Sequence, residues 1–206
     1  MSNIFDLFQK IERPAPGPLS YVVAGLGNPG AQYEHTRHNV GFAAIDDLAA
    51  AAGVKIDRVR FHALTAEATI GGMRMLLLKP TTFMNLSGEA VAEAMHFYKL
   101  PADRLLVLCD DISFAPGRLR IRRRGSHGGH NGLRNIIDRL GTEDFCRLKI
   151  GVGQKPTPDY DLVDWVLGQL PQADRAAIAA RFADIRAAVE LCAAGETDRA
   201  MNLYSK

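Results

Sequence analysis

Residues 21–41 read YVVAGLGNPGAQYEHTRHNVG. The apolar run Leu19–Gly25 has the composition of a buried strand. Directly after it, Gly25-Leu26-Gly27-Asn28-Pro29-Gly30 spells G-x-G-x-x-G. In a dinucleotide fold such glycines open a helix whose N-terminus holds the pyrophosphate, and an acid about 20 residues on, after a second strand, binds the ribose. The sequence meets neither demand. Ala31 to Asn39 is too polar to pack a helix on a sheet, and Asp46 and Asp47 fall inside an expected helix. Pro29 favours a turn. The glycines are therefore expected to let the backbone turn sharply after a strand and leave Asn28 at the lip of a cleft.

Outward from this stretch, strands and helices alternate. Val40, Ala44, Ile45, Leu48 and Ala52 share one helical face, which Gly53 ends. Residues 63–70 and 73–79 read as strands joined by Gly71-Gly72, a hairpin signal. A helix comes next over 88–99, stopped by Pro101, then a short strand over 105–109 that ends at Asp110-Asp111. Arg118 to Arg122 alternates with one basic face. Leu133, Ile136, Ile137 and Leu140 form a helical stripe closed by Gly141. A strand over 145–152 and one long helix over 172–194, with Pro171 at its first turn, complete the pattern. The alternation implies an α/β domain with a mixed sheet.

The chain of 206 residues suits one domain. Residues 1–19 stand apart. Ile4, Phe5, Leu7, Phe8 and Ile11 suit one face of a short helix, and Pro14, Pro16, Gly17 and Pro18 make a linker. The expected division is 1–19 as an extension and 20–206 as the domain. Three cysteines, Cys109, Cys146 and Cys192, are odd in number and far apart, which suggests neither a zinc site nor a disulfide framework. No apolar stretch is long enough for a membrane span and the N-terminus lacks the form of a signal peptide, so the expected location is the cytoplasm.

Polar clusters fall at the expected strand ends and loops: Asn28, His38-Asn39, Asn85 in TTFMNLSG, Asp110-Asp111, and His127, His130 and Asn131 in GSHGGHNGL. Loops beyond the carboxyl ends of strands build the sites of open α/β sheets. There is no G-x-S-x-G nucleophile and no carboxylate cluster of the kind magnesium favours. A histidine oriented by an aspartate can take a proton from water, and asparagine amides can hold a carbonyl or an oxyanion without titrating. The set suits ester hydrolysis by general-base-activated water. Each member also has a plainer role: Asn28 as a turn residue, Asn131 as a helix cap, the histidines as surface groups.

Net charge is only +2, yet residues 118–134 carry six arginines and no acid. That patch borders the expected cleft and suits a phosphate-binding surface. No RRM, KH or zinc-finger signature appears, so recognition would be by shape and backbone charge. An ester on nucleic acid is the substrate class that joins the two features. A non-catalytic RNA-binding module and a nicotinamide oxidoreductase are the alternatives.

GLGNPGAQYEHTRHNVGF, KPTTFMNLSG, DDISFAPGRLR, GSHGGHNGLRNII and the terminal DRAMNLY resemble, in the same order, the motifs of the bacterial peptidyl-tRNA hydrolase family. The resemblance spans about residues 20–204. It implies a monomeric, single-domain α/β hydrolase with a twisted, mostly parallel mixed sheet flanked by helices. It also implies cleavage of the peptide–tRNA ester with no metal or cofactor. By the same resemblance His38 is the general base, Asp110 its orienting carboxylate, and Asn28 the amide that separates N-blocked from free aminoacyl-tRNA. Asn85 holds the substrate, while Asn131 binds the acceptor end and positions water. Tyr33, Phe83 and Met84 line the cleft, and Gly128, with His130 beside it, keeps its loop near the peptide. Arg122 and Lys149 clamp the 5′-phosphate. Two departures stand out: Asp111-Ile112-Ser113 where the family often has Glu-Leu-Asp, and Cys109 where His is common.

Overall fold

The structure is a computed structural model, and it describes residues 17–206. The apolar stripe expected over 4–11 lies outside the described residues. Seven strands form one sheet: β1 Tyr21–Gly25, β2 Arg58–Arg60, β3 Ala63–Ile70, β4 Met73–Pro80, β5 Leu105–Asp111, β6 Leu119–Arg122 and β7 Cys146–Gly151, in the order β2-β3-β4-β1-β5-β7-β6. The four central strands, β4, β1, β5 and β7, run parallel, and β2, β3 and β6 extend the sheet antiparallel at its two sides. Alternation along the strands sends side chains to two cores. Tyr21, Val23, Leu106 and Leu108 face α1 (Val40–Ala51), α5 (Gln172–Ala179), α6 (Phe182–Ala193) and α7 (Thr197–Tyr204). Val22, Ala24, Leu105 and Val107 face α2 (Ser87–Phe97) and α3 (Asn131–Leu140). A short α4 (Leu162–Leu167) lies outside both layers.

The glycine loop is explained by α1. Gly30 leads into two 3-10 turns, Ala31–Tyr33 and Arg37–Asn39, and only then into the helix. A Cβ on Gly25 would lie 2.4 Å from the Gly41 carbonyl, and one on Gly41 would lie 2.4 Å from the Leu108 carbonyl. The glycines therefore let the first turn of α1 sit against β1 and β5. Helix backbone fills the space that a pyrophosphate would need.

The neighbours of β1 place the site. β4 and β5 flank β1 on opposite sides, so the chain leaves β1 in one direction and returns in the other. A crevice opens beyond the carboxyl ends of strands at such a switch point. Ala24 pairs with Val107 and Gly25 with Leu108, so the segments after the two strands lie side by side.

Several expected boundaries differ. The strand expected over 105–109 continues to Asp111, so Asp110 is fixed by sheet hydrogen bonding instead of starting a loop. The long helix expected over 172–194 is broken into α5 and α6 at Ala180-Arg181. Nothing in that sequence breaks a helix. At the break Arg181 N donates to Ile178 O and Arg181 Nε holds Asp184 Oδ2 at 2.7 Å, while the Ala177 carbonyl lies against Gly117, where a Cβ would come within 2.7 Å of it. β2, α4 and α7 are not expected from the sequence. β2 has three exposed residues and turns into β3 through Phe61 and His62 at φ 56° and 49°, without the usual glycine.

Candidate active site

His38 belongs to the 3-10 turn that precedes α1, and Asp110 is the sixth residue of β5. Both are buried, and His38 Nδ1 lies 2.7 Å from Asp110 Oδ1. An ionised carboxylate only accepts, so Nδ1 carries the proton and donates it. His38 Nε2 is then the basic nitrogen. Burial pulls the His38 pKa down, but the Asp110 charge and hydrogen bond outweigh it and the net shift is upward. For Asp110, burial pushes up, and the positive ends of His38 and His130 hold it well below the carboxylate range.

His130 supplies the second contact to that oxygen, with Nε2 3.0 Å from Asp110 Oδ1. Its other nitrogen, Nδ1, accepts from Gly132 N at 3.1 Å and Leu133 N at 3.3 Å. His130 is thus the N-cap of α3, and the two backbone donors fix it as the Nε2–H tautomer. The cap expected at Asn131 is displaced by one residue: Asn131 is the first residue of the helix and is exposed. The ligand atoms of His38, Asp110 and His130 lie within 4.8 Å of one another, a spacing that a metal ion could use. All three atoms are already joined in hydrogen bonds, and the hydrogen-bonded triad accounts for the geometry on its own.

Asn28 comes after β1 and is held on three sides. Its N donates to Asn39 Oδ1 at 2.8 Å, and its O accepts from Asn39 Nδ2 at 3.0 Å. Met84 N donates to Asn28 Oδ1 at 2.8 Å. A backbone N–H needs an acceptor, so the amide orientation is set. What Asn28 offers to the cleft is Nδ2, a donor. Met84 is buried, while Asn85 beside it in the turn Met84–Leu86 is exposed. Tyr33 and Phe83 meet edge to face at 6.3 Å and form an apolar wall, with Phe83 half exposed. Gly128 and Gly129 have φ of 56° and 85°, which shapes the loop before His130. A cavity of about 660 Å³ is lined in part by Asn28 and Asn39. Neither His38 nor Asp110 lines it.

The basic residues fall beside this cleft. Arg120 pairs with Lys149 and Arg122 with Arg147 across β6 and β7, so all four point to one face. Arg147 is buried and spends its guanidinium on the carbonyls of Gly125, Ser126, Glu143 and Phe145. It anchors the loop ahead of the histidines. Lys149 Nζ approaches Gly128 and is already paired with Asp111 Oδ2 at 3.1 Å. Arg122 is partly exposed and has no acidic partner among the described residues.

Three positioning roles are not legible in the sequence. Asn39 reads there only as a neighbour of His38, yet it fixes the Asn28 backbone. Asn135 Oδ1 accepts from Gly88 N at 2.7 Å and locks α3 to the start of α2. Arg37 is buried with its guanidinium 3.5 Å over the Trp165 ring and bonds to the Trp165 and Gln169 carbonyls. It ties the His38 turn to the segment around α4. In each case the partner is distant along the chain, so no local pattern announces it.

The peptidyl-tRNA hydrolase family model matches residues 22–206. A peptidyl-tRNA hydrolase of Agathobacter rectalis is 50% identical over 186 residues, covering 90% of this chain and 100% of that protein. One from Lachnoclostridium phytofermentans is 46% identical over 186 residues, covering 90% and 97%. Among solved structures, peptidyl-tRNA hydrolase from Acinetobacter baumannii superposes with a TM-score of 0.83 at 34% identity, covering 89% of this chain and 94% of that one.

Proposed function

The chain belongs to the peptidyl-tRNA hydrolase family, and on that footing we propose that it cleaves the ester between peptide and tRNA with a water that His38 deprotonates. The observation that carries this reading is the His38 Nδ1–Asp110 Oδ1 contact at 2.7 Å, which leaves Nε2 as the base. His38 Nε2 takes a proton from water as the oxygen attacks the ester carbon. Asp110 stabilises the imidazolium that results. The carbonyl oxygen becomes an oxyanion within reach of neutral amide donors, for which Asn131 is the candidate. Collapse of the intermediate breaks the bond to the terminal ribose, and the imidazolium returns the proton to the departing hydroxyl.

The donor left on Asn28 gives a physical basis for selecting N-blocked substrates. A peptide carbonyl accepts from Nδ2. A free α-amino group is an ammonium with donors only and cannot accept from Nδ2. Asn85 holds the substrate near the ester, and Tyr33, Phe83 and Met84 flank the peptide. Gly128 lets the loop approach it. Arg122 and Lys149 take the 5′-phosphate, which requires Lys149 to share its ammonium with Asp111. Residues 20–206 form the catalytic domain. No helix among the described residues is long and apolar enough to cross a membrane.

His38→Ala tests the assignment. Turnover of N-acetyl-aminoacyl-tRNA should fall by about two orders of magnitude or more, with an unchanged circular dichroism spectrum. Near wild-type turnover in a folded variant would exclude His38 as the base.

A further inference from the structure

The hydrolytic site uses no thiol, yet the fold brings two of the three cysteines together. Cys146 opens β7 and Cys192 lies near the end of α6, with a sequence separation of 46. Their Sγ atoms are 3.7 Å apart, in contact and unbonded. Both belong to the core between the sheet and α1, α5, α6 and α7. Cys109 is buried in the other core, on the opposite face of the sheet. We propose that Cys146 and Cys192 are a reversible redox pair, which a small peroxide closes into a disulfide joining β7 to α6.

The two thiols are not equivalent. The two Sγ atoms lie within hydrogen-bonding distance for a thiol pair. That hydrogen bond, with the Thr197 hydroxyl and the Arg123 guanidinium and against burial, holds the Cys192 thiol below its ordinary range. The same contact, with burial, raises Cys146. Cys192 is therefore the thiol that reacts first. Its thiolate attacks one peroxide oxygen and the O–O bond breaks, leaving a sulfenic acid on Cys192 and a hydroxide that takes a proton to become water. The Cys146 sulfur then attacks the Cys192 sulfur. The S–O bond breaks, and the second hydroxide leaves with the Cys146 proton as water. Two thiols lose two electrons in total, and one peroxide becomes two waters.

The closure is short. Sγ to Sγ shrinks from 3.7 Å to roughly 2.05 Å on bonding. Burial limits the reagent to one of peroxide size. The Arg123–Asp198 ion pair, with side chains more than half exposed, marks the nearby surface. The bond would form on the sheet face opposite Lys149, because Cys146 and Lys149 are an odd number of positions apart on one strand. Cys146 also lies level with Leu106 near the start of β5, whereas Asp110 lies near the end of that strand. Hydrolysis should therefore continue with the bond formed.

The test treats the reduced full-length protein with graded hydrogen peroxide, alkylates remaining thiols and maps the peptides by mass. The expected result is a loss of about 2 Da in the intact mass, a peptide pair linked through Cys146 and Cys192, and Cys109 alkylated. A dithiol reductant should restore all three free thiols, and ester hydrolysis should stay within about twofold of the untreated protein. Cys192→Ser should show no loss of mass, and the wild-type peptide map decides the matter should that variant not fold. Three alkylated thiols at every peroxide dose would overturn the proposal. So would stepwise oxygen addition on Cys192 without a link to Cys146.

Discussion

Asp110 serves two imidazoles through one oxygen, and this decides which nitrogen of each ring can work. His38 gives its Nδ1 proton to Oδ1 and keeps Nε2 for chemistry. His130 gives its Nε2 proton to the same atom, because its Nδ1 is spent on the first turn of α3. The two rings therefore differ in role although both touch one carboxylate. The Asp110 charge is also what raises the His38 pKa against burial. Removing that charge leaves burial alone, so the neutral, active imidazole persists to lower pH. Asp110→Asn should lower turnover and move the acidic limb of the pH–rate profile to lower pH, measured on the blocked substrate. An acidic limb in its wild-type place would mean that Asp110 does not set the His38 proton affinity. His38 and Asp110 are readable in the sequence as types suited to the work. The sharing of Asp110 by His130 is not, because it depends on a cap that falls one residue before the expected one.

At the scale of elements, the first turn of α1 determines how accurately His38, the proposed base, is held. His38 lies in the turn that leads into that helix, and Gly41 sits between β1 and β5 with no room for a side chain. A methyl group there would meet the Leu108 carbonyl at 2.4 Å and the Leu26 carbonyl at 2.5 Å. Backbone cannot rotate out of the way as a side chain can. Gly41→Ala should cost about 2 kcal/mol, which lowers Tm by roughly 4–8 °C in a domain of this size. An unshifted melting curve would show that α1 is free to move away from the sheet. Strands and helices with strong periodicity, such as β4, α1 and α3, are legible from the chain alone. The break between α5 and α6 is not, because the residues there favour helix and nothing in their local pattern marks an interruption. The polarity of residues 31–39 is enough to separate the G-x-G-x-x-G spelling from dinucleotide binding. The positive role of those glycines, close approach of α1, needs the third dimension.

Over the whole molecule, charge is sorted while the total stays near neutral. A net charge of +2 hides the six arginines of residues 118–134, and β6 and β7 gather Arg120, Arg122 and Lys149 on one face of the sheet. Such a face supplies affinity through phosphates and falls off with salt. Arg122→Glu should raise KM for the tRNA substrate several-fold and lower the salt slope of binding by roughly one, with little change in kcat. A fall in kcat alone would remove Arg122 from the phosphate contact. The distribution of arginines is visible in the sequence. The engagement of Lys149 by Asp111 is not, since those two residues meet only through pairing of β5 with β7.

The most direct measurement compares N-acetyl-aminoacyl-tRNA with the same aminoacyl-tRNA left unblocked, each incubated with the purified protein and a chelator while release of the labelled amino acid is monitored. A general base on water, beside the free Nδ2 donor of Asn28, predicts rapid release from the blocked substrate and little from the free amine. Equal release from both, or none from the blocked substrate while tRNA binding is intact, would contradict it.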